Sequence, residues 1–220
     1  MKEDIFIRRE ECKAAKQQLT TGLYNAENEH DACGVGMIVD IHGNKSHELV
    51  DSALKVLENM KHRGAEGADN KTGDGAGIMV QIPHEFILLQ GIPVPEKGKY
   101  GTGLVFLPKD SAEQQHILSI MIEEIEREGL TLMHLRTIPV NSDILGKSAL
   151  EPDIKQVFIT GSSDVENLER TLYIIRKKIE KRVNHKDFYI VSLSSKNIIY
   201  KGMLSSVQVR EYFQDLTQPY

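Results

Sequence analysis

Apolar positions crowd together from residue 33 onwards, and their spacing changes along the chain. "VGMIVDI" (35–41) is dense in apolar and β-branched residues and predicts a buried strand, followed by a turn at "HGN" (42–44). Ser46 then offers a helix N-cap, with Glu48 in the first turn. Val50, Ala53, Leu54, Leu57 and Met60 recur at helical spacing, so one face of that helix is buried. The helix runs out at "KHRG" (61–64), with cations in its last turn and Gly64 placed for a left-handed cap. A long loop rich in Gly, Asp and Asn, "AEGADNKTGDGAG" (65–77), leads into a strand, "GIMVQIP" (77–83).

Beyond a looser stretch holding Pro83, Pro93 and Pro95, "GTGLVFLP" (101–108) predicts another strand. Ser111 and Gln114 form a capping-box signature for a helix striped by Ile117, Leu118, Met121, Ile122 and Ile125, ending at Gly129. "TLMHLRTIPV" (131–140) and "QVFIT" (156–160) read as strands. Leu168, Leu172, Ile175, Ile179 and Val183 stripe a further helix whose outer face is basic. "FYIVSLS" (188–194) and "NIIYKGML" (197–204) predict a hairpin, and a short helix near "VQVREYF" (207–213) follows. Strands and helices do not alternate strictly, so the expected class is α+β, with antiparallel sheet and helices layered on it. Residues 1–32 are polar and weakly periodic, and read as a leader rather than a core element.

Composition narrows the function classes. The 220 residues carry a net charge of −5, which favours neither nucleic acid nor an anionic membrane as partner. Apolar runs are too short to span a bilayer, and the N-terminus lacks a secretory pattern. Two cysteines, Cys12 and Cys33, provide neither a disulfide framework nor a CxxC metal motif, so a cytoplasmic protein without a metal or cofactor of its own is expected.

Cys33 is the candidate with chemistry. By residue type a cysteine is most often a small buried hydrophobe. Its neighbours Asp31, Ala32, Gly34 and Gly36 permit tight turns and close backbone approach, which suits a presented nucleophile. His30, His42, His47 and His62 are the nearby side-chain bases, yet one base needs no side chain. Cleavage before Cys33 would expose an α-amine with a pKa near ~8, able to serve the thiol. "TGDGAG" (72–77) lacks the Gly-Lys-Ser/Thr ending of a phosphate loop and leads into a strand, leaving a tight turn or a site-lining loop. "HRGAEGAD" (62–69) is either a helix cap or an Arg-Gly corner beside a nucleophile.

Taken in order, "DACGVG" (31–36), "HRGAEGAD" (62–69), "TGDGAG" (72–77) and "QIP" (81–83) resemble the class II glutamine amidotransferase domain of glutamate synthase large subunits. The resemblance continues through "GTGLVFLP", "LRTIPVNSDILGKSAL", "RTLYIIRKKIEKR" and "DFYIVSLSSKNIIYKGML". It implies an N-terminal nucleophile hydrolase fold of αββα layers. It further implies a propeptide at 1–32, a mature amidotransferase part at 33–220, and Cys33 as the nucleophile that attacks the glutamine side-chain amide. Arg63 and Gly64 match the family's Arg-Gly corner at the substrate.

Segments resembling His-Ser-Arg-Phe-Ser-Thr and Asn-Gly-Glu-Ile, which supply the carboxylate clamp and oxyanion donors in the family, do not occur in these 220 residues. The αββα fold is therefore expected to be incomplete and little activity is expected of the chain alone. The alternative expectation is an inactive truncated or split-gene fragment serving as a structural or interaction module, prone to homo-oligomerise through exposed sheet edges. Partners implied by the resemblance are glutamine and the remaining synthase domains. FMN and an iron–sulfur cluster are implied only for the full-length oxidoreductase, which makes glutamate from 2-oxoglutarate.

Overall fold

The computed structural model describes residues 33–64, 69, 71–146, 149–161 and 168–219. The chain divides into Met1–Cys33 and Gly34–Tyr220. The expected leader 1–32 lies outside the described residues, and the account below concerns the second unit.

Eleven regular elements follow one another in the described residues. They are α1 (His47–Asn59), β1 (Ala76–Gln81), α2 (His84–Leu89), β2 (Tyr100–Leu107), α3 (Ser111–Arg127), β3 (Leu130–Thr137), β4 (Asp153–Gly161), α4 (Leu168–Arg182), β5 (Tyr189–Ile190), β6 (Asn197–Gly202) and α5 (Gln208–Tyr212). Strands β3-β4-β2-β5 form one sheet and β1-β6 a second, and every pairing is antiparallel. The α+β expectation holds.

Strand β2 is the centre of the first sheet and alternates between two cores, as a pleated strand must. Its Val105 and Leu107 join Val157 and Ile159 of β4 beneath Ile117, Met121 and Ile125 of α3 and Leu172, Ile175 and Ile179 of α4. Its Leu104 and Phe106 face the opposite way, into a cluster with Leu54 of α1, Ile78 of β1, Ile198 and Tyr200 of β6 and Val209, Tyr212 and Phe213 around α5. The layers are thus helices α3 and α4, the four-stranded sheet, then the two-stranded sheet with α1 and α5.

Caps follow the local chemistry. Ser46 Oγ accepts the Leu49 N–H at the start of α1, as expected. At α3 the cap is Asp110 rather than Ser111: its carboxylate accepts the N–H groups of Ala112 and Glu113. A carboxylate also suits the positive end of the helix better than a hydroxyl does. Gln114 turns instead to the Pro108 carbonyl and Asp153. Gly129 ends α3 with φ +74, the left-handed position that glycine fills without strain.

Three further expectations need correction. Residues 35–41 are not a buried strand: Val35 and Ile41 are each 90% exposed, and no described strand pairs with the segment. Apolar content alone sets a preference for burial, and a strand also needs a partner ladder. The 188–204 region is not a hairpin, because β5 bonds β2 while β6 bonds β1, so the chain crosses between sheets. Ser192 and Ser194 make the crossing: their hydroxyls accept the N–H groups of Ile199, Lys196 and Asn197, which ladder bonds would otherwise satisfy. Helix α2, in the stretch read as loose, forms because Phe86 and Ile87 bury one face.

A buried polar chain ties the two sheets together. Gln156 of β4 donates to the Thr102 hydroxyl on β2, and Arg136 of β3 donates to Gln156 at 3.2 Å. The same guanidinium binds both oxygens of Asp215 at 2.7 Å, and the Tyr200 hydroxyl of β6 donates to that carboxylate. Removing one partner of such a pair leaves a charge buried without compensation. Asp215→Ala is therefore expected to destabilise the fold by about 3–5 kcal/mol, which a thermal or urea unfolding curve beside wild type measures directly.

Candidate active site

The corner at Arg63–Gly64 is set by the placement of α1. Leu54 is buried in the inter-sheet core, and Val50, Ala53 and Leu57 pack against the same cluster. On the outer side, Arg210 of α5 reaches back to Asp51 at 2.6 Å and Glu58 at 2.7 Å. The helix ends at Met60, and a single 3-10 turn, Lys61–Arg63, redirects the chain. Gly64 closes that turn in extended backbone, φ −96 and ψ 156, so the left-handed cap expected from the sequence is not used. Space beside the residue is tight. A methyl group at residue 64 would stand 3.3 Å from the Asp74 carboxylate.

The segment that follows Cys33 runs beside this corner. A methyl group added at Gly34 would lie 3.0 Å from Met60 Sδ and 3.3 Å from Arg63 Cβ. At Gly36 it would lie 2.4 Å from a Val56 methyl. Both glycines therefore let the backbone of this segment approach α1 and the turn after it closely. Cys33 itself is exposed, not a buried core residue.

The "TGDGAG" loop meets the same corner from the other side. Its glycines carry the backbone against β6 and the chain beyond it. A side chain at Gly73 would strike the Leu204–Ser205 peptide at 2.2 Å, and one at Gly77 would strike the Tyr200 carbonyl at 2.6 Å. Gly75, with φ +133, takes a backbone conformation that glycine fills without strain. The space beside these glycines is filled by protein backbone, so the loop is a packed turn and not a phosphate cradle. Asp69 opens it as a side-chain-capped turn. Its carboxylate accepts the Lys71 and Thr72 N–H groups at 3.0 and 2.8 Å and the Thr72 hydroxyl at 2.7 Å.

Structure thus brings together Gly34, Arg63, Gly64 and Asp74 within the second unit. Asp74 stood in plain view inside the loop, but no spacing rule linked it to Gly64. Among the described residues no cluster of His, Cys, Asp and Glu could hold a metal ion.

The match of known families to this chain fits that geometry. The model for class-II glutamine amidotransferases matches residues 33–220, beginning at Cys33. The chain belongs to the class-II glutamine amidotransferases. The amidotransferase is 43% identical over 204 residues to the NADPH glutamate synthase large chain of Bacillus subtilis, covering 89% of this chain and 13% of that protein. It is 40% identical over 199 residues to ferredoxin-dependent glutamate synthase 2 of Synechocystis, covering 87% of this chain and 13% of that one. It is 39% identical over 216 residues to the NADH glutamate synthase of Saccharomyces cerevisiae, covering 89% of this chain and 10% of that one. The chain therefore spans about an eighth of the length of the first two relatives.

Three donated hydrogen bonds, from the Lys71 N–H first, hold the Asp69 carboxyl down at about 2. A depressed carboxyl stabilises its turn fully above the unfolded value, 3.8, and loses that contribution as pH falls through about 2. Amide exchange at Thr72, followed by NMR from pH 5 downwards, should show the turn opening only in that window and not near pH 4.5.

Proposed function

We propose that the amidotransferase is the glutamine-hydrolysing part of a glutamate synthase, with Cys33 as its nucleophile. The observation that carries this reading is the family match that starts at an exposed cysteine. Exposure matters because a thiol must be reached by substrate and by water to act.

In this reading, hydrolysis of the Ala32–Cys33 bond releases residues 1–32 and leaves Cys33 with an α-amine. That amine, with a pKa near ~8, takes the thiol proton. Sulfur bonds to the side-chain carbonyl carbon of glutamine, the carbon–nitrogen bond breaks, and the proton leaves with ammonia. Water then attacks the γ-glutamyl thioester, giving glutamate and restoring the thiol. Overall, glutamine and water become glutamate and ammonia. Arg63 and Gly64 are assigned here to the family's Arg-Gly corner, with Arg63 offering a cation to the substrate carboxylate.

The relatives are named for NADPH, ferredoxin and NADH in turn, at similar identity, which supports reading this chain as a part shared by synthases with different electron donors. An iron–sulfur cluster needs more thiolates than Cys12 and Cys33 supply, and no step here passes through one. No helix among the described residues is long and apolar enough to cross a membrane; the cytoplasm is the compartment proposed, from a chain with only two cysteines.

One observation favours a second reading, a non-catalytic module. Val35, Met37, Val39 and Ile41 form an exposed apolar row directly after Cys33. Such rows mark contact surfaces.

A single variant tests the proposal. Cys33→Ala should lower glutamine hydrolysis by about 10³-fold or more, the scale on which an enzyme loses its nucleophile. The readout is ammonia release by the assembled enzyme. An unchanged rate would overturn the assignment of Cys33. Absence of hydrolysis in both proteins would favour the second reading.

A further inference from the structure

We infer that Gln208 is a positioning residue for the active-site loop, acting through the backbone and touching no substrate. This rests on the glutaminase reading above. Gln208 opens α5 and is 7% exposed. Its amide nitrogen donates to the Lys71 carbonyl at 2.8 Å and to the Ile144 carbonyl at 3.0 Å, and its amide oxygen accepts the Ser205 N–H at 2.8 Å. Both donors are used, and all three partners are main-chain groups on three different segments.

Those segments are the ones that hold the glycine-rich loop. Residue 71 lies within the Asp69 turn. Ser205 belongs to the peptide that packs on Gly73. Ile144 lies two residues before Gly146, where an added methyl group would stand 2.3 Å from the Asp69 carboxylate and 2.6 Å from the Thr72 hydroxyl. The loop is therefore gripped from two sides, and the Gln208 side chain bonds to the loop and to both grips. Asp74 sits on the stretch so held, against Gly64. A shift of the loop displaces Asp74 relative to the Arg63–Gly64 corner. Substrate groups need placement to within a fraction of an ångström, and small shifts carry large rate costs.

Chemistry narrows what residue 208 must be. It must offer two N–H donors and one acceptor from a neutral group inside the protein. Glutamate keeps the shape and the acceptor but loses both donors and brings charge against two carbonyl oxygens. Methionine keeps the volume and loses all three bonds.

The test uses the full chain as wild type, Gln208→Met and Gln208→Glu. Amide exchange of residues 71–76 reports the loop. Cys33 modification is followed with a γ-electrophilic glutamine analogue and with iodoacetamide. We expect at least about a 10-fold loss of exchange protection at 71–76 in both variants. We also expect about a 10-fold or greater rise in the analogue concentration giving half-maximal labelling, with the iodoacetamide rate unchanged. A residue needed only for folding would lower protection along the whole chain, and would move both reagents alike. Loosened exchange at 71–76 with unchanged analogue labelling overturns the positioning role. Unchanged exchange overturns the clamp itself. Failure of the analogue to label wild type, while the loop still loosens in Gln208→Met, counts against the glutaminase reading and leaves the clamp standing. If Gln208→Met does not fold, Gln208→Glu carries the same comparison.

Discussion

The bidentate pair between Arg136 and Asp215 is the constraint from which the rest of the arrangement follows. Apolar packing between two sheets is strong but has little directional preference. Leu104, Ile198 and Phe213 would bury almost as well with one sheet slid along the other. A guanidinium fork on a carboxylate, with Tyr200 and Gln156 completing the shell, accepts one geometry. It ties β3 to the chain after α5 and, through Tyr200, to β6. Strand β6 is in turn the surface on which the glycine-rich loop lies.

That dependence orders the site. Helix α5 carries Gln208, which holds the loop, and Arg210, which holds α1. Helix α1 ends at the Arg63–Gly64 corner, and the loop delivers Asp74 to the same corner. A helix of five residues, Gln208–Tyr212, thus holds both the loop and α1. It is short, but Val209, Tyr212 and Phe213 anchor it in the core, so its polar side chains project from a fixed base.

Much of this was legible in the chain. Periodicity located α1, α3 and α4 because one face of each is buried against a sheet, and the β-branched runs located β2 and β4. The ordered motifs around Cys33, Arg63 and the glycine-rich loop gave the family. What stayed hidden was long-range pairing. "VGMIVDI" has strand composition, yet strand formation depends on a neighbour that composition does not name. Tyr189–Ile190 and Asn197–Gly202 lie close in sequence, yet two serine side chains satisfy the turn's backbone and free each strand to join a different sheet. Gln208 left only a faint trace, a lone amide between Val207 and Val209. Its meaning depends on carbonyls 64 and 137 residues away.

The central claim is that Cys33 acts with its own α-amine as an N-terminal nucleophile, and intact-mass spectrometry addresses it most directly. The chain, purified together with the rest of the enzyme, would be weighed with and without an electrophilic glutamine analogue. The account predicts the mass of residues 33–220 carrying one adduct, with the adduct on Cys33. A full-length mass of 1–220 that gains no adduct would contradict it.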